Sequence, residues 1–207
     1  MILCHEEILA ARERGEVVIE PFEPSLVGIN SVDVRLGPDL FELEVQPFRD
    51  LYADTSERWR RVEPLRVGDL RREHPGFGAG TLEDEDLVFL LKSGAFYLAT
   101  TLEAIGSRAL GPEHASVVPE MKARSTVGRQ GLTVALCAGL GDVGYASRWA
   151  LEVRVVDYGD LAVAVGTPIA QVVFHRATPT AAAYDGATRY QHGAEVRFLP
   201  KPLKLVR

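Results

Sequence analysis

The sequence predicts a mainly β fold, a distorted barrel or double sheet with a short N-terminal helix and a small helical or irregular insertion. Three observations predict it. Short β-branched and aromatic runs recur along most of the chain, turn signals separate them at close intervals, and no strand-helix-strand unit repeats.

Ile8, Leu9, Ala10 and Ala11 lie among Glu6, Glu7, Arg12, Glu13 and Arg14, a helix-forming mixture that stops at Gly15. Strands begin with Val17-Val18-Ile19 and Val32-Asp33-Val34-Arg35-Leu36, punctuated by Pro21, Pro24, Gly28, Gly37 and Pro38. Residues 49–86 are crowded with Arg, Glu and Asp and lack sustained periodicity, so they read as an insertion or solvated flap with room for one short helix. Further strands follow at 87–91, 95–100, 116–118, 132–136, 149–155 and 169–174. From residue 177 the composition turns small and polar, the mark of a tail that closes over something.

With 207 residues, 46% of them hydrophobic and 25% charged, the chain reads as a single domain over 1–207. A net charge of −6 argues against a nucleic-acid partner held by phosphate neutralisation. Cys4 and Cys137 are too few for a disulfide framework or a cysteine-rich zinc site. The start, Met-Ile-Leu-Cys-His-Glu-Glu, lacks the pattern of a secretory signal, and no apolar run approaches the roughly 18 residues of a membrane span. A cytoplasmic location with no membrane partner is expected.

The motifs of zinc nucleobase deaminases, phosphate-loop NTPases and serine-elbow hydrolases are absent from the sequence. His5, His74, His114, His175 and His192 are scattered and read as exposed loop or strand-end residues, not metal ligands. The segment Lys122 to Leu132 stands out, because Arg124 and Arg129 flank the hydroxyls of Ser125 and Thr126 beside Gly128 and Gly131. Such a set suits a phosphate chain, and equally a solvated turn whose arginines meet carboxylates. Downstream, the Gly-rich run from Ala138 to Tyr145 leads into a strand carrying Glu152. Alternation places Glu152 on the face of Arg154, where it either points to solvent or lines a cleft that would raise its pKa toward neutrality.

Taken together, Met1–Cys4 and the helix after it, Asn30–Gly37, Arg124–Leu132, Ala138–Glu152, Gln171–Phe174 and Arg189–Gln191 resemble the dCTP deaminases of the homotrimeric dUTPase-like superfamily. The resemblance implies a homotrimer with shared active sites, dCTP as substrate, dTTP as a regulator, no zinc, and Mg2+ carried by the triphosphate. By similarity Glu152 is the proton shuttle, Ser125 and the carbonyl of Ala138 hold the attacking water, and Arg129 orients the site. Arg124 and Thr126 fall on triphosphate contacts and Asp142 on a sugar hydroxyl contact. Tyr145 falls on an aromatic that packs against deoxyribose, and Ala150 and Leu151 on further substrate contacts. Tyr184, Arg189, Tyr190 and Gln191 match tail contacts to base and phosphates. The sequence departs from the family at Gly141, Val143 and Ser147-Arg148, and the spacing from Tyr184 to Arg189 is short.

The reading favoured here is hydrolytic deamination of dCTP to dUTP and ammonia. A bifunctional enzyme giving dUMP and pyrophosphate is the alternative, suggested by Ala138-Gly139. A non-catalytic trimeric nucleotide-binding module is a third. A plain dUTPase would share Asp142 and the phosphate cradle, but has no use for a carboxylate at Glu152.

Overall fold

The computed structural model describes residues 1–136, 139–156 and 159–184. The expected mainly β architecture is the one found. Helix α1 (His5–Glu13) buries Ile8 and Ala11, and its chain turns at Gly15, whose φ of 76° suits glycine. It leads into β1 (Val17–Glu20) and then the long β2 (Val32–Leu43).

Across the insertion the structure is more regular than the charge pattern suggests. Strand β3 (Trp59–Arg61) pairs with β2, and β4 (Leu65–Arg66) pairs with β5 (Leu87–Leu91), with helix α2 (Val67–Glu73) beside it. Arg71 organises the loop that follows. Its Nε donates to the Phe77 carbonyl at 2.9 Å and its Nη2 to the Leu82 carbonyl at 2.6 Å, while Nη1 meets the Asp84 carboxylate. The segment is thus stitched to both sheets of the molecule. Charge masked this from the sequence, because so many of its side chains point to water.

The remaining strands are β6 (Phe96–Ser107), β7 (Ser116–Ala123), β8 (Leu132–Val134), β9 (Ala146–Val155), β10 (Leu161–Ala164) and β11 (Pro168–Ala177). The eight-stranded sheet runs β7-β11-β2-β6-β9-β8, with β1 added to β6 and β3 to β2, and a three-stranded sheet runs β10-β5-β4. Every ladder is antiparallel. The loop after β8 nearly closes the barrel: the Met121 N–H donates to Gly139 at 2.6 Å and the Gly141 N–H to Pro119 at 2.8 Å, covering the outer edge of β7. Val32, Val34, Leu36, Leu40, Phe89, Tyr97, Leu151, Ile169 and Phe174 fill the interior.

Two bulges bend β6. Its register shifts against β2 between Leu36 and Leu40, and against β9 between Thr100 and Ala104. Gly37 lies at the first, where a Cβ would stand 2.7 Å from Thr100 Oγ1. At the second, the Thr101 hydroxyl donates to the Glu103 carbonyl at 2.7 Å and accepts the Trp149 N–H at 2.8 Å. The wholly buried Glu103 carboxylate accepts the Arg35 N–H at 2.8 Å and its Nε–H at 2.5 Å. A fixed bend therefore precedes the part of β9 that carries Glu152. Among the described residues no helix is long and apolar enough to cross a membrane.

Candidate active site

The segment read as a turn or phosphate cradle contains a short helix, α3 (Ser125–Arg129), launched directly from the end of β7. Its β-branched residues and Gly128 concealed it from propensity arguments. Arg124 is the extended residue before it, with φ −85° and ψ 134°, and its carbonyl accepts the Gly128 N–H at 3.0 Å. Ser125 and Arg129, four apart, share one face and are exposed.

Arg124, Thr126, Val127 and Gln130 line a cavity of about 590 Å³. Phe77 and Leu82 of the insertion and Leu161 and Val163 of β10 form other parts of its wall. Its size and mainly apolar lining fall in the range of small-molecule sites. Glu152, Asp142, Tyr145 and Tyr184 are not among its lining residues. Ser125 and Arg129 of α3 are not among them either, so of the described residues singled out from the sequence only Arg124 and Thr126 border this cavity.

Glu152 is half-buried on the face of β9 opposite the core residues Leu151 and Val153. Its lateral neighbour on β6 is Leu98, followed by Phe41 on β2 and Arg61 on β3. On the other side the Ala135 N–H donates to the Glu152 carbonyl at 3.0 Å. The strand around Glu152 is thus held from both sides, by β6 and by the residue that follows β8. Ala150 shares its face, whereas Leu151 is 1% exposed with its side chain in the core, so any nucleotide contact it makes is through the main chain.

The loop before β9 is built around aromatic rings. Asp142 is exposed, and its carbonyl accepts the Tyr145 N–H at 3.0 Å in a turn that holds Gly144 at φ 89°. The Tyr145 ring stands edge-on to Trp149, with centroids 5.1 Å apart, and edge-on to Tyr184 at 5.3 Å. Burial pushes its hydroxyl up to about 12; the nearby Tyr184 adds to the shift and a hydrogen bond with Ser147 opposes it. The Tyr184 N–H donates to the Val143 carbonyl at 2.7 Å, so the start of the tail docks on this same loop.

Three departures from the family pattern acquire physical reasons here. A Cβ on Gly141 would lie 2.8 Å from the Trp149 ring and 2.9 Å from Pro119, so the indole occupies the space a larger residue would need. Ser147, buried, supplies the partner for Tyr145. At position 143 the feature in use is the backbone carbonyl, which any residue offers. Ala138, Arg189, Tyr190 and Gln191 lie outside the described residues.

The sequence reading assigned no role to Asp33, whose Oδ2 lies 3.2 Å from Arg124 Nη1. Burial raises the pKa of Asp33 while Arg124 opposes the shift. The alternation of Val32, Val34 and Leu36 with Asp33 and Arg35 signalled a charged outer face, but not its partners. His175 is also better placed than expected: it lies within β11, with Nε2 2.9 Å from Glu120.

A sequence profile described as dCTP deaminase-like matches residues 2–177. Among curated proteins, a "dCTP deaminase, dUMP-forming" of Leptospira biflexa is 31% identical over 175 residues, covering 84% of this chain and 82% of its own. A protein of the same description from Methanopyrus kandleri is 29% identical, covering 99% of this chain and 95% of its own. One from Haloarcula marismortui, described as "dCTP deaminase", is 28% identical, covering 84% and 80%. Among solved structures, the 2'-deoxycytidine 5'-triphosphate deaminase of Agrobacterium tumefaciens superposes with a TM-score of 0.52 at 18% identity. The match spans 85% of this chain and 47% of that one, a likeness of fold.

Proposed function

The chain belongs to the dCTP deaminase-like family, and from that premise we propose that it hydrolyses the C4–amino bond of dCTP and releases ammonia. The observation that carries this reading is Glu152, half-buried on the face of β9 away from the core, in a strand held between β6 and the residue that follows β8. Such a group suits repeated proton transfer better than a solvated one. Water held by the Ser125 hydroxyl attacks C4, and Glu152 takes its proton. Glu152 then delivers protons to N3 and to the departing amino group, so the C4–N bond breaks as the C4–O bond is retained. Arg129 orients the reacting groups.

Arg124 and Thr126 bind the triphosphate, and magnesium enters on its phosphate oxygens. Among the described residues there is no cluster of three or more His, Cys, Asp or Glu that could hold a metal ion. Asp142 takes a sugar hydroxyl. Tyr145 packs against the deoxyribose, its orientation fixed by Trp149 and Tyr184. By the family resemblance, the active sites are shared between copies of the chain, as in a trimer.

For the product, the second reading, dUMP with pyrophosphate, is favoured over dUTP by the descriptions of the Leptospira and Methanopyrus relatives. Gly139 carries no weight in that choice, because a Cβ there would lie 2.6 Å from the Met121 carbonyl and barrel closure alone requires glycine. Incubation with dCTP and Mg2+, followed by separation of ammonia, dUTP, dUMP and pyrophosphate, tests both readings. Ammonia with dUMP and pyrophosphate is expected. Ammonia with dUTP overturns the dUMP reading, and no ammonia overturns deamination.

A further inference from the structure

We propose that Asp33 is a positioning residue for the triphosphate: it anchors one nitrogen of Arg124 so that the rest of the guanidinium fork is presented to the phosphates. The inference rests on the assignment of Arg124 to the triphosphate.

Asp33 belongs to a strand whose alternate residues divide cleanly. Val32, Val34 and Leu36 are at most 3% exposed, while Asp33 and Arg35 face away from that core. Each of the two outward charges clamps a different element. Arg35 holds Glu103 at the bulge of β6, and Asp33 holds Arg124 at the threshold of α3. The second clamp joins the central strand β2 to the helix that carries Ser125 and Arg129.

The anchoring contact is made to Nη1 at 3.2 Å. A guanidinium has five N–H donors in a planar fork, so one anchored nitrogen fixes the plane and leaves donors for a second anion. A free arginine side chain would surrender rotamer entropy on binding phosphate. An arginine already held by a carboxylate has given up part of it beforehand. Both side chains are partly covered, Arg124 to 33% and Asp33 to 25% exposure, so solvent screens the pair less than an open surface pair. On β11, Gln171 lies beside Asp33 in register and accepts from the Ser31 hydroxyl at 3.3 Å, a side-chain tie between the two strands next to the carboxylate. Arg124 and Thr126 also line the 590 Å³ cavity, so the anchored fork lies at an opening large enough for a ligand group.

The role separates binding from chemistry, because Asp33 acts only through Arg124 and touches no reacting atom. Steady-state kinetics with dCTP on wild type, Asp33→Ala, Asp33→Asn, Arg124→Ala and Asp33→Ala/Arg124→Ala tests it. Asp33→Ala should raise KM about tenfold while kcat stays within about twofold. Asp33→Asn keeps an oxygen able to accept from Nη1, and should raise KM only about threefold. In the Arg124→Ala background, Asp33→Ala should change KM less than about twofold, since its partner is gone. An equal rise in both backgrounds, or no rise from Asp33→Ala, overturns the proposal. If Asp33→Ala fails to fold, Asp33→Asn decides the matter, with an unchanged KM overturning it. Should Arg124→Ala itself leave KM unchanged, the assignment of Arg124 to the triphosphate fails, an outcome distinct from failure of the Asp33 clamp.

Discussion

Replacing Gly141 by alanine should destabilise the protein, and the cost should shrink once Trp149 is made smaller. The added Cβ would lie 2.8 Å from the indole and 2.9 Å from Pro119 Cγ, closer than side-chain carbons approach. The ring cannot swing aside freely, because it is 4% exposed and its Nε1–H donates to the Ile105 carbonyl at 2.8 Å. Overpacking of this kind costs about 1–3 kcal/mol. Gly141 has no positive φ, so alanine also restricts the unfolded chain and returns about 0.4–1 kcal/mol. A net loss of about 1–2 kcal/mol is expected. Trp149→Leu removes the colliding ring and leaves space at that point, at a cost of its own of about 2–4 kcal/mol from lost burial. In that background only the Pro119 contact opposes the added Cβ, so Gly141→Ala should cost about 1 kcal/mol less than in wild type. Urea unfolding of the four proteins, followed by circular dichroism at one protein concentration, measures it. Additivity within about 0.5 kcal/mol would refute the idea that the indole explains the glycine.

Glu152→Gln should abolish ammonia release while nucleotide affinity, measured by calorimetry with dCTP, changes less than about threefold; retained turnover would remove Glu152 from the proton shuttle. Arg35→Ala removes the charged partner of the wholly buried Glu103 carboxylate, leaving it the backbone N–H of residue 35, and should cost about 3–5 kcal/mol in denaturant unfolding at neutral pH, with a loss below 1 kcal/mol refuting the clamp. The Tyr145 hydroxyl, raised from 10.0 to about 12, is neutral in the fold when an unfolded tyrosine would ionise. Its contribution is therefore complete below pH 10 and is lost as pH rises toward 12. Tyr145→Phe should flatten part of the fall in stability over that window, and an unchanged slope would contradict a buried hydroxyl.

The strands were legible because β-branched residues sit where the sheet needs them, as in Val32-Asp33-Val34-Arg35-Leu36 and Trp149–Val155. The bounds of β6 and β9 were less so, since their bulges use Thr101 and Glu103, whose role depends on Arg35 and Trp149 far away in sequence. Helix α3 and strand β10 escaped for a related reason: five residues containing glycine and a Leu-Ala-Val-Ala run carry too little local preference to stand out.

For the site, alternation could say which face Glu152, Asp33 and Arg35 occupy, but not what each meets there. Glu152 borders Leu98, Asp33 meets Arg124 and Arg35 meets Glu103, three different fates for charges with the same local pattern. The departures at 141 and 147 show the same principle in reverse. Gly141 weakens the resemblance when read alone, yet beside Trp149 it is the smaller half of a packed pair, and Ser147 is the partner of Tyr145. On the proposed reading, what the chemistry constrains is the position of Asp142 and Tyr145 and not the identity of what lies behind them, so the loop can exchange the residues that support those two groups.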